Sequence, residues 1–309
     1  MRGRIVKGIA GFYYVETPLG EIYECRAKGI FRKSGIKPIV GDDVEIEITH
    51  ETDMEGNITD ILPRRNSLIR PPVANVDQAV ILFAIVKPDP NYNLLDKFLI
   101  TMRQNNLPVI ICFNKQDIAT RQEEEELYNA YEKCGYHVLF LSVKEERGLD
   151  ELKKLLRGKT STLAGPSGVG KSSLLNKLVP DACMQTGELS RKIERGRNTT
   201  RHSELFLVKE LSTPGSETYI IDTPGFTSLD VRDVTTDTVM NYYPEFTEYE
   251  PGCRFALCSH ISEPDCAVKK AVEEEKVSRV RYDNYCAIYR DLKMLRPDYD
   301  NLRNKRSRK

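Results

Sequence analysis

The chain has 309 residues, with 46 Lys and Arg against 46 Asp and Glu, so its formal net charge is zero. That length allows two domains of roughly 150 residues, or three small ones. Neutrality excludes a polybasic chain that binds DNA or membrane along its whole surface, and 40% apolar with 30% charged residues excludes a disordered one.

The longest apolar run, Ala79 to Val86, is eight residues. A membrane helix needs ~20, so none is expected. The first residues, Met1 to Lys7, lack the apolar stretch of a secretory signal, and the expected location is cytoplasmic. Eight cysteines without an export signal point to burial or metal binding rather than disulfides.

Residues 1–65 read as short strands without helical period: Arg4 to Ala10, Phe12 to Thr17, Glu21 to Ala27, the strictly alternating Val44 to Ile48, and a fifth ending near Leu62. Five such strands predict a small closed barrel of the OB type. Residues 66–75, with Pro71-Pro72 after a basic cluster, read as a linker into residues 66–235. Val80 to Val86 is then apolar on both faces, as a strand covered by helices on both sides must be. Helix 93–104, strand 109–113, acidic helix 122–134, strand 138–141, helix 149–156, strand 161–164 and helix 171–178 follow. This alternation predicts a parallel α/β sheet. Residues 236–309 change texture again, with clustered cysteines and a helical, increasingly basic tail. From Lys276 onward there are eleven Lys or Arg against four Asp.

Gly165-Pro166-Ser167-Gly168-Val169-Gly170-Lys171-Ser172 fits the phosphate-loop pattern and lies between a predicted strand and a predicted helix. The glycines let backbone N–H groups curl around phosphates, and the helix start adds its dipole. Lys171 would reach the β- and γ-phosphates, and Ser172 would ligate Mg²⁺. Asn114-Lys115-Gln116-Asp117 follows an apolar strand. An aspartate there accepts from the ring N–H and exocyclic amine of guanine, a donor pair that adenine lacks. Ser142 lies in a segment like the second guanine-contact loop, or else at a plain strand end. Asp222-Thr223-Pro224-Gly225 ends another apolar strand and would place Asp222 near Mg²⁺ and the Gly225 N–H on the γ-phosphate. The Arg- and Lys-rich segment before it holds Asn198, Thr199, Thr200 and His202. Thr200, with Thr199 next to it, would close over Mg²⁺.

The order of these motifs carries information. GTPases commonly run phosphate loop, threonine, Asp-x-x-Gly, Asn-Lys-x-Asp, last guanine loop. Here the last two come first, which is a circular permutation, feasible where domain termini lie close together. Further on, Cys253, Cys258, His260 and Cys266 supply three thiolates and an imidazole in a short stretch, a closed set that suits one structural Zn²⁺. Cys25, Cys112, Cys134 and Cys183 sit in or near apolar segments and read as core. Cys286 suggests no role, and His50 and His137 read as surface or strand-end residues.

Taken together, the rotated motif order, the run Gly165 to Asn176 that includes Ser173, and the Cys-Cys-His-Cys spacing followed by Ala267-Val268 resemble one family over essentially the whole chain. This is the ribosome small subunit-dependent GTPase A family of bacterial, circularly permuted GTPases. The resemblance implies an OB barrel, a permuted P-loop GTPase domain and a small zinc-binding domain. It also implies GTP hydrolysis, with Mg²⁺, stimulated by the small ribosomal subunit during its late maturation, and 16S rRNA as a partner. DNA and membrane are not expected partners, and a monomer is the default. The chain departs from the family at one point: where the family has His before the Thr-Thr pair, this chain has Asn198, with a histidine only at His202. Position 226, directly after Gly225, is Phe226 rather than the glutamine that orients water in Ras-like GTPases. Asn198 and His202 are therefore the candidates for aligning the attacking water.

Overall fold

The computed structural model describes residues 1–29, 31, 35–69, 72–182, 203–222, 231 and 233–295. The expected barrel forms from β1 (Arg2–Ile9), β2 (Phe12–Glu16), β3 (Ile22–Ala27), β4 (Asp43–His50) and β5 (Glu55–Ile61). The strands run β1-β2-β3-β5-β4, and β4 pairs back onto β1 to close the sheet. Alternation places Ile5, Val15, Tyr23, Cys25, Val44, Ile46 and Ile58 inside.

Residues 66–69 and 72–75, read from the sequence as a linker, are tied into the fold. β6 (Ser67–Leu68) pairs with β7 (Val73–Ala74), and flanking asparagines fasten this hairpin. Asn75 accepts from the Arg65 N–H at 2.9 Å and donates to the Gly41 carbonyl at 2.9 Å, while Asn66 donates to the Val76 carbonyl at 2.7 Å. Side chains that satisfy backbone groups in this way replace sheet pairing that a two-residue strand cannot provide.

The α/β unit contains β8 (Gln78–Ala84), α1 (Tyr92–Gln104), β9 (Val109–Asn114), α2 (Arg121–Tyr131), β10 (His137–Phe140), α3 (Leu149–Leu156), β11 (Thr160–Ala164), α4 (Lys171–Leu178), β12 (Glu204–Leu207) and β13 (Tyr219–Asp222). Its order is β10-β9-β8-β11-β13-β12, all parallel except β12. Successive residues of β8 enter two different cores. Ile81 and Phe83 join Leu95, Phe98 and Leu99, whereas Val80 and Leu82 join Leu152, Leu156 and Leu174. This explains the unbroken apolar run of that strand. The edge strand β12 also pairs with β1, so barrel and α/β unit share one continuous sheet.

The C-terminal region is built from short turns and two helices, α5 (Ala267–Glu273) and α6 (Arg279–Leu295). Its core holds Val239, Tyr243, Phe246, Val268, Val272, Tyr285 and Ile288. α6 packs on α1 and α2 through a buried ionic cluster. The Arg281 guanidinium lies 2.5 Å from Asp96 Oδ1 and donates through Nε to Glu245 Oε1 at 2.7 Å. Tyr131 and Tyr243 donate to the two Asp96 oxygens at 3.1 and 3.3 Å. Arg281, although it lies in the basic stretch from Lys276, faces inward: its side chain is 1% exposed. Residues 296–309 lie outside the described residues. Cys25, Cys112 and Cys134 are buried, as expected, and so is Cys286; His50 and His137 are exposed strand-end residues. Cys183 lies outside the described residues. Among the described residues, no helix is long and apolar enough to cross a membrane.

Candidate nucleotide and metal sites

The phosphate-loop sequence connects β11 to α4, at the carboxyl ends of the parallel strands. In open α/β sheets this is where ligands bind. Two glycines are required here by close approach. Gly165 has φ +144°, and a Cβ there would lie 2.0 Å from the Leu82 carbonyl oxygen. Gly170 has φ +103°, and its Cβ would lie 2.4 Å from Asn114 Nδ2. Lys171, the first residue of α4, donates to the carbonyls of Gly165 at 2.8 Å and Pro166 at 2.6 Å. Burial lowers its pKa, and the Asp222 carboxylate opposes that shift. Asp222 is the last residue of β13, in register with Leu163 of β11, so the start of Asp-x-x-Gly stands beside the phosphate loop.

Asn114 ends β9 and is 4% exposed. Its Nδ2 donates to the Val169 carbonyl at 2.8 Å, and its Oδ1 accepts from the Val143 N–H at 3.1 Å. Lys115 adopts φ +71°, and its ammonium donates to the Lys87 carbonyl. Burial lowers the Lys115 pKa, with Asp117 acting the other way. Ser142 donates to Asp117 Oδ1 at 2.8 Å and accepts from the Glu145 N–H at 3.1 Å. Lys144 Nζ stands 3.9 Å from the Asp117 carboxylate.

The fold thus brings segments 114–117, 142–145 and 165–172 together. Chemically, this sets an oriented carboxylate beside a loop of backbone N–H groups, a lysine and two serines, Ser172 and Ser173. That combination suits a base with adjacent N–H donors joined to a polyphosphate. Sequence reasoning named Asn114 for the base, but its role as a strap between three loops is visible only in the fold. Asn198, Thr199, Thr200, His202, Thr223, Pro224, Gly225 and Phe226 lie outside the described residues.

The second cluster lies between the turns and α5. One ligand atom from each of Cys253, Cys258, His260 and Cys266 falls within 4.8 Å of the others. Cys253 Sγ is 3.9 Å from Cys266 Sγ and 3.7 Å from His260 Nδ1, which is 3.3 Å from Cys266 Sγ. Tetrahedral Zn²⁺ with three thiolates and one imidazole sets these separations at roughly 3.5–3.8 Å. The four residues could therefore hold one metal ion with no open position. Surrounding groups fix the loop. Tyr282 donates to the His260 carbonyl at 2.7 Å and Tyr285 to the Ser259 carbonyl at 2.6 Å. Glu263 accepts from Ser259 Oγ at 2.6 Å and from the N–H groups of Ser259, Ile261 and Ser262. Burial alone would raise the Glu263 pKa, yet these donors bring it down to about 2. Nothing in the sequence marks Glu263, since an isolated acid in a loop is common.

With this geometry in place, comparison with known proteins is informative. The RsgA GTPase family matches residues 61–232, and the RsgA N-terminal domain matches residues 2–58. A protein of Agathobacter rectalis called small ribosomal subunit biogenesis GTPase RsgA is 54% identical over 303 residues, covering 95% of this chain and 98% of its own. The crystal structure of YjeQ from Thermotoga maritima is 34% identical with a TM-score of 0.79, covering 96% of this chain and 99% of that one. YloQ, described as a circularly permuted GTPase, is 37% identical with a TM-score of 0.73 and covers 96% of each chain.

Proposed function

Since the chain belongs to the RsgA GTPase family and is a GTPase, we propose that it hydrolyses GTP to GDP and phosphate on the small ribosomal subunit, late in that subunit's maturation, and that the subunit accelerates the reaction. The observation that carries this reading is the convergence of the rotated motifs: Asn114 bonds directly to the phosphate loop at Val169, and Ser142 bonds to Asp117. In this proposal residues 1–65 form an RNA-binding barrel, 66–235 the GTPase domain and 236–309 the zinc domain with its basic tail. 16S rRNA is the surface that the barrel and tail address. The protein works as a cytoplasmic monomer.

Residue roles follow from chemistry. Asp117, oriented by Ser142, accepts the guanine N–H pair, and Asn114 and Lys115 hold that loop against its neighbours. Backbone N–H groups from Gly165, Pro166, Ser167, Gly168, Val169 and Gly170 surround the phosphates, with Lys171 as the cation and Ser173 in the first turn of α4. The half-buried Lys171, whose pKa Asp222 acts on, and the Ser172 hydroxyl in the first turn of α4 fit a Mg²⁺–nucleotide site, and Gly225 and Thr200 are assigned to it as well. When bound, Mg²⁺ supplies neutralisation of phosphate charge. Asn198 or His202 aligns the attacking water, because Phe226 has no hydrogen-bonding group. Cys253, Cys258, His260 and Cys266 hold one structural Zn²⁺.

The test is co-sedimentation with purified small subunits, loaded with a non-hydrolysable GTP analogue or with GDP, over a salt series. Binding should favour the triphosphate form and weaken as salt rises, because Lys and Arg contacts to phosphate release counterions. Equal binding in both nucleotide states, insensitive to salt, would contradict this reading.

A further inference from the structure

The barrel meets the GTPase sheet at a chemically significant place. Lys7 of β1 is the strand partner of Glu204, the first residue of β12, and Glu204 is the strand partner of Asp222, the last residue of β13. Three charged residues on three neighbouring strands therefore form one row: Lys7, Glu204, Asp222. Directly opposed residues of antiparallel strands project to the same face, and like charges so placed repel. Glu204 and Asp222 are such a pair. Lys7 Nζ sits 2.9 Å from Glu204 Oε1, with both side chains about one-third exposed, so the barrel supplies the cation that offsets Glu204.

The barrel's other ties to this sheet lie elsewhere. Arg4 donates to Thr160 Oγ1 at 3.3 Å and stands 5.3 Å from the Tyr219 ring, while Tyr219 donates to Glu16 at 3.1 Å. Thr160 and Tyr219 are the first residues of β11 and β13, at the end of the sheet remote from Asp222. These contacts fix the barrel as a body. The Lys7–Glu204 pair reaches the end that carries the Asp-x-x-Gly aspartate, and in sequence Glu204 lies two residues after His202.

We propose that Lys7 is a positioning residue for GTP hydrolysis: its ion pair with Glu204 links the barrel's placement on the small subunit to the position of Asp222. This rests on the subunit-stimulated activity proposed above. A partly exposed pair of this kind adds little to overall stability, so its effect should appear in the stimulated rate rather than in folding.

The experiment measures GTP turnover at saturating small subunits, free turnover, GTP affinity and thermal unfolding in Lys7→Gln, Lys7→Glu, Glu204→Lys and the double swap Lys7→Glu/Glu204→Lys. Each single variant should keep its fold, free turnover and GTP affinity. Lys7→Gln, which removes the pair, should lose about two- to fivefold in stimulated kcat, the scale of one partly exposed ion pair, and the charge reversals Lys7→Glu and Glu204→Lys should lose more. The double swap should restore most of that loss. Glu204→Lys adds a cation, so it separates this coupling from simple loss of a phosphate contact. Unchanged stimulated kcat in the single variants would overturn the proposal. So would a change only in the subunit concentration needed for half-maximal rate, or a double swap no better than the worse single variant. Absence of stimulation in the wild type would instead refute the functional reading beneath it.

Discussion

The side-chain amide of Asn114 donates to the backbone carbonyl of Val169 at 2.8 Å, tying the guanine-motif loop to the phosphate loop across two parallel strands. The same amide accepts from Val143, so one buried residue sets the spacing of three loops. Asn114→Ala leaves a buried carbonyl and a buried N–H unpaired, at ~1–3 kcal/mol each. GTP and GDP affinity should both fall by ~10–100-fold in calorimetric titration. Loss confined to one nucleotide would show that Asn114 does not act as a common strap.

Base choice should rest on Asp117. Asp117→Asn should weaken GTP binding by at least ~10²-fold, because a site built to accept two N–H groups rejects a mismatch strongly. The variant should prefer xanthosine triphosphate, whose altered edge matches an amide. Competition binding with the two triphosphates reads this directly, and undiminished GTP affinity would remove segment 114–117 from the site.

Lys171→Ala removes a cation held beside the phosphate loop by the carbonyls of Gly165 and Pro166. GTP turnover should fall by ~10²-fold or more, the scale of losing one electrostatic stabiliser. Near-normal hydrolysis would exclude this loop as the reacting one.

Arg281 is 1% exposed, with Asp96 and Glu245 as its acidic partners. Arg281→Ala leaves two carboxylates buried together and should cost ~3–5 kcal/mol in chemical unfolding. Replacing Arg281, Asp96 and Glu245 together with Met, Leu and Leu, with Tyr131→Phe and Tyr243→Phe to remove the hydroxyls that donate to Asp96, should recover much of that loss, because apolar residues of similar volume pack without a desolvation penalty. A wild-type midpoint in Arg281→Ala would contradict the buried cluster.

The zinc assignment predicts about one zinc per chain by elemental analysis, with chelation loosening the C-terminal region. Cys258→Ser should lower its thermal stability while GTP affinity stays unchanged. A folded, metal-free protein purified without chelator would refute it.

Much of the architecture could be read from the sequence because its signals are local. The alternation of Val44 to Ile48 marks a half-buried strand, and the two-sided apolar run of β8 marks a covered one. Helices 149–156 and 171–178 fall where the sequence reading puts them. Local signals fail where distant partners decide. Ser67–Leu68 pairs with Val73–Ala74, fastened by Asn66, Asn75 and Gly41, although the prolines read as a linker. β12 is four residues long and gains its definition from β13 and β1. Arg281 sits in a basic stretch, and nothing local marks it as buried, because its partners Asp96 and Glu245 come from other elements. For the same reason the sequence names Asp117 and Ser142 separately, whereas their hydrogen bond belongs to the fold.

We propose above that this GTPase responds to the small ribosomal subunit. Single-turnover hydrolysis of pre-bound GTP, with and without purified small subunits, tests it most directly. Hydrolysis by the free protein should be slow and should accelerate ~10²-fold or more with subunits, as in GTPases whose site is completed by a partner. Fast hydrolysis by the free protein, or a rate that subunits leave unchanged, would contradict it.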